Sequence, residues 1–244
     1  MGNNYHKSTY QHTLKMYHRN PHKLVINLEE SNEVGIEGAR GLADALQNCQ
    51  QLVELSITIY SSNKIGQQGA CYIGQSLGCC KNLKIMKLTI GSYNSIGSEG
   101  LKQISQGIKD CPDLNSVYLY IGQFNNLNAE GFTNLFKNLQ QCEKLHKLFV
   151  QINSGNNVGN DGALQIAQSL QNCLKLESLS LTIGCQNNLS VNSIRQIIQK
   201  ISKNSQIKYL YLDIEGSKQI ALSFLQHFLH KMKRLAYYKI ISKQ

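Results

Sequence analysis

Apolar residues recur along this chain in fixed columns. Leu52, Leu83, Leu114, Leu145, Leu176 and Ile207 stand 31 residues apart, and so do Leu55, Met86, Val117, Leu148, Leu179 and Leu210. Ile57, Leu88, Leu119, Val150, Leu181 and Leu212 make a third column, and Ile59, Ile90, Ile121, Ile152, Ile183 and Ile214 a fourth. Three smaller or polar columns keep the same step: Cys49, Cys80, Cys111, Cys142 and Cys173; Asn32, Asn63, Asn94, Asn125, Asn156 and Asn187; and Gly38, Gly69, Gly100, Gly131 and Gly162. A fixed period in this range marks a solenoid or array.

Each unit has two halves. Leu55-x-Ile57-x-Ile59 alternates with period two, which predicts a strand with one buried face. Ala70, Ile73 and Leu77, closing at Cys80, follow helical spacing, as do Leu101, Ile104 and Ile108 and then Ala163, Ile166 and Leu170. These are the apolar stripes of amphipathic helices. One unit cannot bury its own stripe, but stacked units share a continuous core. The pattern predicts eight strands, near 24–28, 55–59, 86–90, 117–121, 148–152, 179–183, 210–214 and 238–242, with seven helices between them. The ends are atypical. Pro21 stands where a Leu is expected, and Leu235, Tyr238 and Ile240 return only 28 residues after Ile207, Leu210 and Leu212. The missing three residues fall near Glu215–Gln219. Residues 1–20 stand outside the repeat as a basic segment or cap, and 21–244 form the repeat domain.

The run Leu52-x-x-Leu55-x-Ile57 followed by Asn63-x-Ile65-x-x-x-Gly69 resembles the leucine-rich repeat, in its ribonuclease-inhibitor-like class. The resemblance covers about residues 22–244. It implies an α/β horseshoe, with the parallel strands on the concave side and the helices on the convex side. One feature departs from the family pattern: Asn63 lies six residues after Ile57, where the usual interval is three. This lengthens the unit from about 28 residues to 31, and we read it as a longer strand in which Ile59 adds one inward residue.

Composition adds limits. The chain has 244 residues, with 41% hydrophobic residues and only 16% charged. Wholesale disorder is excluded, and no apolar run approaches the roughly 18 residues of a membrane span. Eight cysteines with no secretory signal predict a reducing, cytoplasmic setting. An acid-free leader up to Glu29 leaves mitochondrial import as an alternative. The net charge of +10 is uneven. Residues 1–28 carry +4 and residues 195–244 carry +8, while 29–194 sum to −2. Both ends are basic, so an acidic protein surface is a candidate for end-on contact. A nucleic-acid partner would need a continuous basic stripe with stacking aromatics, and the middle lacks one.

No catalytic, cofactor or metal constellation emerges. Zinc needs ligands converging on one point, whereas these cysteines come one per layer, as small buried residues at helix ends. The Asn column reads as a set of side chains satisfying backbone groups in buried loops. The Gly66-x-x-Gly69 pairs lack the lysine of a phosphate loop and read as turn geometry. His18 and His22 have helical spacing but no adjacent carboxylate. The start Met1-Gly2 lacks the Ser or Thr of a myristoylation site at His6. A kinase would need its own set of motifs, and none is present.

The strand residues that point away from the core carry the functional expectation. One column reads Val25, Ser56, Lys87, Tyr118, Phe149, Ser180, Tyr211 and Lys239; the next includes Tyr120; a flanking column adds Tyr209 and Tyr237. Exposed neighbouring aromatics suit protein interfaces. Lys87, Tyr118, Tyr120 and Phe149 form one candidate hot spot, and Tyr209, Tyr211 and Tyr237 a second. The expectation is a non-enzymatic interaction module or scaffold without cofactors, which binds a protein partner through the concave sheet or its basic ends. The resemblance also admits a Ran-type GTPase-activating regulator or a structural part of a cytoskeletal or ciliary assembly.

Overall fold

The computed structural model describes residues 21–29, 34–215 and 222–241. The chain alternates strand and helix throughout: β1 (Lys23–Leu28), α1 (Gly35–Gln47), β2 (Glu54–Ile59), α2 (Gly66–Leu77), β3 (Ile85–Ile90), α3 (Gly97–Lys109), β4 (Ser116–Ile121), α4 (Ala129–Leu139), β5 (Lys147–Ile152), α5 (Gly159–Asn172), β6 (Ser178–Ile183), α6 (Val191–Ile201), β7 (Tyr209–Ile214), α7 (Leu222–Leu229) and β8 (Tyr237–Ile241). The strands form one parallel sheet in sequence order. This is a horseshoe-type α/β solenoid, with eight strands and seven helices among the described residues.

The register follows the sequence period. Leu55 pairs with Met86, Met86 with Val117 and Val117 with Leu148. The step shortens only at the end, where Tyr209 pairs with Tyr237. Strands β1 to β7 each begin one residue before their predicted start, because the residue ahead of the first apolar column already joins the ladder. Ile59 and its equivalents end β1 to β7 facing inward, as the lengthened unit requires. The four apolar columns are buried in one continuous core with the helical stripes. Each fully buried Leu or Ile contributes about 1.5–3 kcal/mol. Tyr238 departs from the pattern. It occupies the inward column of β8 but is 53% exposed, since no described element stacks beyond that strand.

Helix starts are fixed by the Asn column. Gly35, Gly66, Gly97 and Gly159 have φ of +60° to +67°, a region glycine reaches without steric cost. Their N–H groups donate to the backbone carbonyls of Asn63, Asn94, Asn125 and Asn187, one repeat ahead. Where Asn128 and Ser190 replace that glycine, their side chains cap the helix: Asn128 Oδ1 accepts from Gly131 N–H and Ser190 Oγ from Ser193 N–H.

Inside the loops, each Asn side chain is a three-way bracket. Asn125 Nδ2 donates to Gly91 O at 3.0 Å and Gly122 O at 3.1 Å, while its Oδ1 accepts from Asn94 N–H at 3.1 Å. Asn94 and Asn156 repeat the scheme. Asn63 Oδ1 has no partner among the described residues; its counterpart by register, Asn32, lies outside them.

The cysteine column seals the other end of each helix. Cys111 Sγ donates to Gly107 O at 3.3 Å and to Leu77 O of the preceding repeat at 3.4 Å. Burial pushes the thiols of Cys80, Cys111, Cys142 and Cys173 up to about 12, so they stay protonated near neutrality. In the sixth repeat the column continues as Asn204, whose Nδ2 donates to Leu170 O and Cys173 O, both at 2.9 Å.

Candidate functional site

Alternation along the strands sends every second side chain to the concave face, and the register sets those side chains beside one another. Lys87 pairs across to Tyr118, and Tyr118 to Phe149. The Tyr118 and Phe149 rings lie 6.4 Å apart, tilted by 30°, within the range of favourable aromatic pairs. Lys87 Nζ sits 5.8 Å from the Tyr118 ring, a cation–π distance.

Lys87 is held from its other side. Glu54 takes Lys23 Nζ at 3.0 Å and Lys87 Nζ at 3.3 Å. Hydrogen bonds from Lys23 and Lys87 hold its carboxyl below the usual carboxylate range. The sequence reading missed this acidic clamp, which fixes the ammonium over the ring. Tyr118 is 36% exposed, while Phe149 and Tyr120 are half-buried. Tyr120 is tethered rather than free, since its hydroxyl accepts from Asn153 Nδ2 at 2.6 Å. The first group is therefore a Lys87–Tyr118–Phe149 unit with Tyr120 turned toward the loop edge.

The second group is looser. Tyr209 and Tyr237 are register partners and both more than half exposed, while Tyr211 is half-buried opposite Lys239. The basic C-terminal end is partly engaged: Lys231 Nζ lies 5.1 Å from the Phe228 ring, Arg195 lies 5.6 Å from Phe224, and Arg234 donates to Gln206. The N-terminal cations Lys7, Lys15 and Arg19 lie outside the described residues, as does His18.

A third aromatic pair went unread in the sequence. Tyr93 and Phe124 stack at 5.4 Å in the loops that leave β3 and β4, and both are exposed. They stand one period apart, which was the available signal. What hid them is backbone conformation, because both sit at positive φ, +59° and +51°, which turns their side chains out of the strand pattern. Among the described residues, no group of three or more His, Cys, Asp or Glu is placed to hold a metal ion, and no helix is long and apolar enough to cross a membrane. Compared with protein-family models and with curated proteins, the chain matches none.

Proposed function

We propose that the chain is a leucine-rich-repeat protein of the ribonuclease-inhibitor-like class that acts without catalysis, docking a protein partner on its concave sheet. The observation that carries this reading is the Lys87–Tyr118–Phe149 unit: an exposed cation and two rings, fixed by the Glu54 clamp on a hydrogen-bonded sheet. Such a face loses little conformational freedom on binding, and Tyr is among the side chains that most often anchor an interface.

The test is comparative capture from an extract of the cells that make the protein. Wild type, Tyr118→Ala/Phe149→Ala and Lys231→Glu/Lys233→Glu are immobilised in parallel, and retained proteins are identified by mass spectrometry. The expected outcome is a partner held by wild type and by the end variant but released by the aromatic variant, with a loss of about 2 kcal/mol or more, roughly thirtyfold in Kd. Retention by the aromatic variant and loss by the end variant would make the solenoid a spacer held by its ends. A captured small GTPase whose hydrolysis accelerates on adding the protein would replace docking with the regulator reading.

A further inference from the structure

The edge of the sheet where the strands begin carries a cleft that the aromatic face does not use. It is open to solvent, has a volume of about 440 Å³ and is lined by Lys84, Asp113, Asn115, Lys144, His146 and Lys175. A second recess of about 250 Å³ continues it toward β1, sharing Lys84 and Asp113.

The backbone beneath is rigid. The carbonyl of Lys84 accepts the N–H groups of Asn115 and Ser116, that of Asn115 those of His146 and Lys147, and that of His146 those of Glu177 and Ser178, all at 2.9–3.1 Å. These doubly used carbonyls hold Lys84, Asn115 and His146 in a row at one strand spacing, about 4.8 Å.

Positive charge dominates the lining, with three lysines against one carboxylate. Asp113 takes Lys144 as its partner, and Lys84 and Lys175 have no ion pair among the described residues. His146 Nδ1 lies 2.6 Å from Lys144 O. A carbonyl can only accept, so Nδ1 carries the proton.

We propose that this cleft receives an extended, carboxylate-rich peptide segment of the docking partner. Charge complementarity selects an anion, and the span selects its form. Lys84, Lys144 and Lys175 precede β3, β5 and β6, so the row covers three strand spacings, about 14 Å. A single small anion is too short to meet all three. Four or five extended residues, at about 3.3 Å each, match the row. The inference rests on the concave-face reading for the body of the partner, but the cleft can be tested alone.

The probe is fluorescently labelled hexaglutamate, followed by anisotropy at low salt. Lys84→Gln/Lys175→Gln should weaken binding about tenfold. Lys200→Gln/Lys203→Gln removes the same charge from the end of α6 and the turn after it, and should stay within about twofold. Tyr118→Ala/Phe149→Ala should bind the probe like wild type, so failure of the aromatic reading does not register here. All four lysines lie at the surface, and circular dichroism checks that each variant is folded. Absence of wild-type binding, or equal loss in the two lysine variants, would overturn the proposal. Displacement of the probe by inorganic phosphate at similar concentration would make this a point-anion site, and stronger displacement by a six-nucleotide single strand would make it a nucleic-acid groove; either outcome also overturns it.

Discussion

Two buried columns run the length of the solenoid, one of asparagine at the strand exits and one of cysteine at the helix ends. Both recur every 31 residues, both are shut away from water, and both bond carbonyls of their own and the preceding repeat. They differ in bond quality. Nearly all the Asn brackets use N–H donors at 2.8–3.2 Å, whereas most of the thiol contacts stretch to between 3.3 and 4.0 Å, as suits a weak S–H donor. The loop carbonyls meet no regular partner of their own, so a full amide is needed there. The helix-end carbonyls already lie in a turn, and a small polarisable group is enough to cover them.

Removing a bracket should break this comparison most sharply. Asn125→Ala orphans Asn94 N–H and takes one of two amide donors from each of Gly91 O and Gly122 O, which keep Asn94 Nδ2 and Asn156 Nδ2. An orphaned buried group costs about 1–3 kcal/mol, so the variant should lose about 1–3 kcal/mol in urea unfolding. A loss below about 1 kcal/mol would mean that water replaces the amide.

The cysteine column should show itself through pH. Burial pushes the thiols of Cys80, Cys111, Cys142 and Cys173 up to about 12, above the ordinary cysteine range, so the unfolded chain releases protons first. Stability is therefore full below about pH 8.5 and falls as pH rises toward 12, by at most about 1.4 kcal/mol per unit for each buried thiol. Thermal melts between pH 7 and 10.5 should show Tm dropping at the alkaline end. Cys111→Ala/Cys142→Ala should flatten that drop, and an unchanged slope would remove the thiols as its cause.

The smallest effect is the most direct comparison of the two chemistries. Asn204 is an amide in the cysteine column, with two 2.9 Å bonds in place of long thiol contacts. Asn204→Cys should cost about 1 kcal/mol, the usual worth of one net hydrogen bond. A neutral result would show that the column needs only volume.

Much of this architecture is readable from the residues, because a period of 31 converts directly into register. Leu55, Met86 and Val117 align in the chain and pair in the sheet. The limits appear where position depends on distances across repeats. Lys84, Lys144 and Lys175 belong to a segment whose charges sum to −2, so their shared cleft is invisible to a linear count and arises only when strands lie about 4.8 Å apart. Tyr120 shares its column with threonines, and only the loop after β5 explains why its hydroxyl is tied to Asn153. Tyr93 and Phe124 were hidden by the sign of φ.

The constant step between paired strands also bears on how the chain assembles and how it yields to force. From β1 to β7, every strand finds its partner one repeat away, so each addition closes a loop of the same length at the same entropic cost. Nothing at one end waits for contact with the other. Growth can begin at any repeat and spread by nearest-neighbour docking. Pulled from its termini, the molecule would shed one repeat at a time, each release paying out roughly 100 Å of extended chain, so its resistance lies in the weakest repeat junction rather than in the sheet as a whole.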